Sequence, residues 1–253
     1  MINTLCISGG GVKGICVIGC IKNLIKNNII VLNKINNYYC CSAGSIISFL
    51  LALNYTTKEL CYIWKKLPLH KYNIQFNIDN LFINNGLDNG NNIMIILQTM
   101  LYKKYNQYDI TFKQFYETFN KKINIIATNL TKFKEELFSY ETTPNMSVLI
   151  AIRMSIAIPI IFTPVIYNNN VYVDGGLVNN FPYKYIKDKF IGIVTQFYPT
   201  DTTINIFNII MNCSYQLMIN SSHVNNINNN NIILITNNNM YYNEVSIKNK
   251  NFN

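Results

Sequence analysis

Along most of this chain, short apolar runs alternate with stretches in which apolar residues recur at helical spacing. The first run, 2–8, ends in glycines and predicts a buried strand, and the spacing from Ile15 onward predicts a helix. A second short strand is predicted at 36–41. An almost continuously apolar segment, 43–53, then predicts a helix of the kind that packs under a sheet.

The same alternation continues to the C-terminal part of the chain. It predicts further helices at 57–66, 91–105, 111–119, 148–155 and 204–219, and strands at 122–128, 134–140, 190–197 and 232–236. The segment 165–173 predicts a hairpin with 168–170 at its tip. Strands alternating with helices predict one α/β domain over 1–240, followed by a frayed tail at 241–253.

Composition and charge limit the classes of partner. The chain has 253 residues, of which 49% are hydrophobic, so it is long enough for one domain with a substantial core. Its net charge of +9 permits attraction to an anionic surface. The lysines are scattered and form no basic block with interleaved aromatic residues, so nucleic-acid binding is not expected, whereas a weak attraction to acidic membranes is.

The cysteines and the apolar segments predict a location. Seven cysteines without a Cys-x-x-Cys pair argue against a disulfide framework and against a zinc site. Free thiols indicate a reducing compartment, and no signal peptide is evident, so a cytoplasmic location is predicted. The apolar stretch 147–167 is interrupted by Arg153, Pro159 and Pro164, so it is not expected to span a membrane.

A glycine cluster follows the first predicted strand. Gly9, Gly11 and Gly14 satisfy G-x-G-x-x-G, but no acidic residue precedes Glu59 to hold the ribose of a dinucleotide. The cluster is not a P-loop, because Lys13 comes before the final glycine. What remains is either a tight turn or a loop whose backbone N–H groups suit an oxyanion or a phosphate.

Ser42 lies between a predicted strand and a predicted helix, as the serine of a nucleophile elbow does. Such a turn is sterically tight and needs small residues two positions before and after the serine. Gly44 meets this requirement, whereas Cys40 replaces the usual first glycine, so the G-x-S-x-G pattern is incomplete. The alternative is an ordinary helix N-cap serine.

A nucleophilic serine needs a base, and two candidates follow it. Ser42, Asp174 and His223 occur in the order of an α/β-hydrolase triad, but His223 borders an Asn-rich loop where a solvated histidine is more common, and His70 is expected at the surface. Alternatively, Asp174 itself accepts the serine proton. This requires partial burial, because an aspartate ordinarily titrates near pH 4.

Two glycines follow Asp174. Gly175 and Gly176 would let the aspartate lie close against another backbone segment. The competing interpretation is an Asp-Gly hairpin turn.

The ordered set 9–14, 42–45 and 174–176 resembles the patatin-like phospholipases, with further matching segments at 127–130, 155–162 and 177–182. The resemblance implies a three-layer α/β/α fold with a mainly parallel central sheet and hydrolysis of lipid acyl esters without a metal or other cofactor. It implies Ser42 as nucleophile and Asp174 as the acid of a Ser–Asp dyad without histidine. The expected oxyanion-hole residues are Gly9, Gly10, Gly11, Lys13, Gly14 and Ala43, and Gly44, Gly175 and Gly176 are expected to support the site.

The resemblance also implies a partner and leaves one alternative. The expected partner is a phospholipid or another lipid ester at a membrane surface. The alternative function is a catalytically inactive lipid-binding or signalling module on the same fold, which the cysteine at position 40 motivates.

Overall fold

A mixed β-sheet forms the centre of the protein. The structure, a computed structural model, describes residues 2–66, 78–196, 206–222, 231–236 and 246–248. Its strands are β1 Thr4–Ile7, β2 Asn37–Cys41, β3 Gly86–Asp88, β4 Lys122–Asn129, β5 Lys134–Phe138, β6 Ile160–Phe162, β7 Val165–Tyr167, β8 Asn170–Asp174, β9 Phe190–Gln196, β10 Ile232–Thr236 and β11 Ser246–Lys248. Its helices are α1 Gly14–Lys26, α2 Ala43–Ala52, α3 Thr57–Lys66, α4 Ile78–Asn84, α5 Asn91–Tyr105, α6 Phe112–Phe119, α7 Val148–Ser155, α8 Gly176–Asn179 and α9 Ile206–Ser221.

The strand order of the central sheet is β11-β10-β9-β1-β2-β4-β8-β7, with β5 also paired to β4. The strands β10, β9, β1, β2 and β4 are parallel to one another, and β8, β7, β5 and β11 add antiparallel pairs at the margins. The strands β3 and β6 form a separate parallel pair. The carboxyl ends of β1, β2 and β4 therefore meet at one edge of the sheet, which is where ligands bind in open α/β folds.

The sheet is buried on both faces. Along β1, Leu5 and Ile7 belong to the large hydrophobic core, whereas Cys6 belongs to a second, smaller cluster with Phe181, Phe190 and Val194. Because successive side chains of a strand point to opposite faces, the two clusters lie on opposite sides of the sheet. This two-sided burial, with helices α1 to α9 between and around the strands, confirms the predicted three-layer α/β/α fold.

Helix α2 runs under the sheet from the carboxyl end of β2. Every residue of α2 is buried, which explains its nearly continuous apolar sequence. Helix α6 illustrates a local start signal, because the Thr111 side chain accepts a hydrogen bond from the Gln114 N–H and the Gln114 side chain accepts one from the Thr111 N–H. Thr111 is therefore the N-cap residue of α6.

Several elements differ from the pattern-based expectation. The short elements α4, β3 and α8, of seven, three and four residues, were not predicted, since segments of this length give too few apolar repeats. The helix α8 begins at Gly176, so the hairpin-turn interpretation of Asp174 is wrong. The strand β11, paired with β10, lies within the segment 241–253, whose fraying stays a prediction.

Candidate active site

Ser42 lies on a strained turn between β2 and α2. Its backbone has φ 48° and ψ −128°, a combination that costs roughly 1–3 kcal/mol for a residue with a Cβ atom. Ser155 holds the turn, since its Oγ accepts a hydrogen bond from the Ser42 N–H at 2.8 Å and donates one to the Ile126 carbonyl at 2.6 Å. Strain that surrounding contacts maintain in this way is typical of functional positions.

Gly44 lets helix α2 start directly against the end of β1. A Cβ atom at this position would lie 2.5 Å from the Ile7 carbonyl oxygen and 2.6 Å from that of Ser8. Both neighbours are backbone atoms and cannot move aside. The sequence-based requirement for a small residue at this position therefore has a defined steric cause.

Cys40 fits its position without being glycine. It lies inside β2 with its side chain fully buried in the large core, and its Sγ–H donates to the Asn124 carbonyl oxygen at 3.4 Å. The backbone of a strand is extended, so the site needs no residue of left-handed conformation. The incomplete G-x-S-x-G pattern thus leaves the geometry of the elbow intact.

Asp174 ends β8, directly opposite Ala127 of β4. The Ser42 hydroxyl donates to its Oδ2 at 2.5 Å, and the Gly176 N–H donates to its Oδ1 at 2.8 Å. Thr128 fixes the backbone, because its Oγ1 donates to the Asp174 carbonyl oxygen at 2.8 Å. A Cβ atom at Gly175 would lie 2.3 Å from the Ile126 carbonyl oxygen, so this glycine lets the turn rest on β4.

The carboxyl group of Asp174 has no exposed surface. Burial raises its pKa from 3.8 to about 7, although hydrogen bonds from Ser42 and Gly176 act in the opposite direction. A base with a pKa near neutrality is half ionised at physiological pH and accepts a proton far more readily than an ordinary aspartate.

The glycine loop and the start of α2 provide backbone N–H groups that are available as hydrogen-bond donors. Within the described residues, the N–H groups of Gly10, Gly11 and Ala43 have no hydrogen-bond acceptor, and Ala43 is the first residue of α2. Free N–H groups beside a helix N-terminus form an anion-binding surface. Gly11 has φ 53°, a left-handed conformation that favours glycine.

The other residues expected in the oxyanion hole have occupied backbone donors. The N–H of Gly9 donates to the Asn180 Oδ1 at 3.0 Å, that of Lys13 to the Gly10 carbonyl at 3.1 Å, and that of Gly14 to the Gly11 carbonyl. Their contribution is steric or electrostatic. A Cβ atom at Gly9 would lie 2.9 Å from the Ser42 Cβ, and one at Gly14 would lie 2.2 Å from the Trp64 ring, while burial lowers the pKa of the Lys13 ammonium.

Asn180 connects the glycine loop to the Asp174 turn, a role that the sequence did not predict. Its Oδ1 accepts from Gly9, and its own N–H donates to the Ser221 Oγ at 3.1 Å. Ser221 in turn donates to the Gly176 carbonyl oxygen at 2.7 Å. Asn180 and Ser155 both fall in segments that carry the family resemblance, and that was the only available signal for them.

His70 and His223 lie outside the described residues, so the triad alternative has no structural description. Within the part of the chain that the structure describes, no helix is both long and apolar enough to cross a bilayer.

The fold agrees with comparisons to known proteins. A family model described as Patatin-like phospholipase matches residues 5–186, and the chain belongs to this family. It is 40% identical over 186 residues to "Probable lipid hydrolase 463L" of Invertebrate iridescent virus 6, a match that covers 71% of this chain and 61% of that protein. It is 32% identical over 197 residues to "Uncharacterized protein R571" of Acanthamoeba polyphaga mimivirus, covering 76% of this chain and 65% of the relative.

Solved structures share the fold at low sequence identity. VipD from Legionella pneumophila superimposes with a TM-score of 0.65 at 16% identity, covering 93% of this chain and 61% of VipD. ExoU in its complex with SpcU from Pseudomonas aeruginosa gives a TM-score of 0.51 at 17% identity, covering 89% and 51%. The chain thus spans less than two thirds of the length of these relatives.

Proposed function

We propose that this chain hydrolyses acyl esters of phospholipids or neutral lipids, with Ser42 as nucleophile and Asp174 as general base. The observation that carries the proposal is the 2.5 Å hydrogen bond from the Ser42 hydroxyl to the buried Asp174 carboxylate. A nucleophile within hydrogen-bond reach of a base is the arrangement that covalent hydrolysis requires. Membership of the patatin-like phospholipase family supports a lipid ester as substrate.

The reaction proceeds in two halves. The Ser42 Oγ attacks the ester carbonyl carbon while its proton passes to the Asp174 Oδ2, and the protonated carboxyl then protonates the departing alcohol. A water molecule attacks the resulting acyl-serine and gives its proton to the Asp174 carboxylate. That proton returns to the Ser42 Oγ as the fatty acid leaves, so the dyad is regenerated.

The tetrahedral intermediate in each half carries a negative oxygen. We assign its stabilisation to the N–H groups of Gly10, Gly11 and Ala43. The preceding loop residue Gly9 packs against Ser42, since a Cβ atom there would lie 2.9 Å from the Ser42 Cβ, and Ala43 follows Ser42 at the N-terminus of α2. Loss of one such donor in a comparable hydrolase costs roughly 3–4 kcal/mol of transition-state stabilisation. The site therefore supplies a nucleophile, a base and an oxyanion hole from this chain alone.

Replacement of Ser42 by Ala tests the proposal. The variant should lose about ten-thousand-fold or more in kcat on a chromogenic acyl ester and on a labelled phospholipid, because no other group replaces the nucleophile. Ser48→Ala is the matched control, since Ser48 is a buried serine of helix α2, which starts directly after Ser42. Equal turnover by Ser42→Ala and wild type would refute the mechanism.

Two further measurements separate the alternatives left by the sequence. His223→Ala should retain wild-type turnover, because a dyad needs no histidine, whereas a triad predicts a collapse in kcat. A fluorophosphonate probe should label the folded wild-type protein at Ser42. Absence of labelling would instead favour an inactive lipid-binding module.

A further inference from the structure

A turn and the hairpin beside it expose large apolar side chains to solvent. The turn at 130–133 joins β4 to β5, and 90% of Phe133 is exposed there. Leu130, in the same turn, is 41% exposed. In the adjacent hairpin β7–β8, Ile166 is 76% exposed. Leu130, Phe133 and Ile166 are called the apolar tip below. Exposed apolar groups clustered in this way indicate an interaction site.

Hydrogen bonds to the backbone of β8 hold the turn and the hairpin together. The Leu130 N–H donates to the Val171 carbonyl oxygen at 2.8 Å, and the Val171 N–H donates to the Thr131 Oγ1 at 2.9 Å. Val171 also lies opposite Ile166 in the ladder of β7 and β8. Leu130 and Ile166 are therefore both backbone neighbours of Val171, which places the turn and the hairpin side by side.

The charges around the apolar tip favour an anionic partner. Lys132 and Lys134 flank Phe133, and both lysines are exposed. The nearby acids are engaged: Glu136 contacts Lys132 and accepts from the Tyr172 hydroxyl, and Glu135 contacts Lys184 and accepts from the Tyr185 hydroxyl. Their side chains are 19% and 16% exposed, against 51% for Lys132, so mainly the cations are accessible from solvent.

The apolar tip lies at the dyad's end of the sheet. Cys41 of β2, the residue before Ser42, is paired with Ile126 of the parallel strand β4, and the next residue of β4, Ala127, is opposite Asp174. Leu130 follows Ala127 by three residues, which corresponds to about 10 Å along a strand. A surface in contact with the apolar tip would therefore lie close to the catalytic edge.

We propose that the apolar tip inserts into an anionic phospholipid bilayer, with Lys132 and Lys134 at the headgroups. The proposal rests on the proposed function, because it places the dyad next to the lipid esters. Aromatic and aliphatic side chains gain free energy when they enter the interfacial region, and each lysine near an anionic leaflet adds to the attraction. The net charge of +9 acts in the same direction.

Co-sedimentation with vesicles tests the insertion independently of catalysis. The assay uses Ser42→Ala protein, so lipid is not consumed, with vesicles of phosphatidylcholine alone or mixed with phosphatidylserine. Phe133→Asn should weaken partitioning to the mixed vesicles about tenfold, the effect of withdrawing one phenyl side chain from an apolar medium. Asparagine suits the positive φ of 52° at this position, so the change is compatible with folding.

Control variants show whether the apolar tip itself enters the bilayer. Val31→Ser removes an exposed apolar residue before β2, at the opposite end of the sheet, and should leave partitioning unchanged. Lys134→Gln should weaken binding to the mixed vesicles about fivefold and leave binding to phosphatidylcholine vesicles unchanged. Phe133→Asn on the wild-type background should keep its kcat/KM on a soluble ester.

Three results would overturn the insertion. They are equal partitioning of Phe133→Asn and its parent, no vesicle binding by the parent, or a lipid-free dimer that Phe133→Asn converts to monomer in light scattering. The last result would assign the apolar tip to a second copy of the chain. If the wild-type protein binds vesicles but hydrolyses no ester, the result refutes the proposed function alone.

Discussion

At the scale of single residues, the site depends on one buried carboxyl group. Asp174 is enclosed by protein, and burial raises its pKa to about 7 despite the opposing hydrogen bonds from Ser42 and Gly176. The sequence could predict that Asp174 needs such burial to act as a base. It could not predict that burial is complete, because the enclosing residues come from β4, α7 and α8, distant in the chain.

The pH dependence of hydrolysis should report this pKa. Only the ionised carboxylate accepts the Ser42 proton, so kcat/KM should rise with pH and reach half its maximum near the Asp174 pKa of about 7. A pH–rate profile of kcat/KM on a soluble chromogenic ester measures it. A profile that stays flat down to about pH 5 would mean an aspartate with an ordinary pKa near 4 and would contradict the assignment.

At the scale of secondary-structure elements, long periodic segments were predicted well. The helices at 57–66, 91–105 and 148–155 match α3, α5 and α7 residue for residue, because several apolar repeats define each of them. The short helix α8 was not predicted, yet it carries the Gly176 N–H that binds Asp174. The Gly9 N–H is occupied by the side chain of Asn180, which follows α8 and is distant in the chain, so no local pattern could predict this contact.

A charge at position 180 should change the pKa of Asp174, because the two side chains lie close together. A Cβ atom on Gly176 would lie 3.0 Å from both the Asn180 Oδ1 and the Asp174 Oδ1, so the two side chains are close neighbours. Asn180→Asp keeps an oxygen acceptor for the Gly9 N–H but adds a negative charge. A like charge raises the pKa of Asp174, so the acidic limb of the pH–rate profile should move to higher pH.

Two companion variants show whether the effect is electrostatic. Asn180→Ala leaves the Gly9 N–H without its side-chain acceptor and should lower kcat about tenfold with little change in KM, because the oxyanion donors lose their fixed position. Asn179→Ala is the matched control, since Asn179 is equally buried and its Nδ2 has no hydrogen-bond partner among the described residues. An unshifted profile for Asn180→Asp would exclude this coupling.

At the scale of the whole molecule, the parallel strands bring together groups that are far apart in the chain. Ser42 and Asp174 are separated by 132 residues, and they meet because β8 is paired antiparallel to β4 while β4 lies parallel to β2. The order of the motifs predicted this meeting only through the family resemblance, since apolar periodicity does not define strand order. The pattern predicted the hairpin at 165–173, which is β7–β8, but not its antiparallel pairing with β4, which also positions the apolar tip.

The free energy of unfolding should depend on pH, because the carboxyl group of Asp174 is buried. Because its pKa is raised from 3.8 to about 7, the folded protein binds this proton more tightly than the unfolded chain does. Stability should therefore fall as pH rises from about 4 to about 7 and stay level above that range. Asp174→Asn removes this titration, so relative to wild type it should gain about 2–3 kcal/mol between about pH 5 and about pH 8 in urea denaturation.

Ser42→Ala is the control in the same denaturation experiment. It shows whether the change in stability comes from the buried charge or from disruption of the active site. It abolishes the nucleophile but retains the buried carboxyl group and removes a hydrogen bond that favours the ionised form, so its stability should fall with rising pH at least as steeply as that of wild type. Parallel pH dependence in wild type and Asp174→Asn would show that Asp174 is not the titrating group. In the proposed mechanism the same desolvated carboxylate that destabilises the fold at neutral pH accepts the serine proton. The pH at which stability becomes level and the midpoint of the kcat/KM profile should therefore both lie near the Asp174 pKa of about 7.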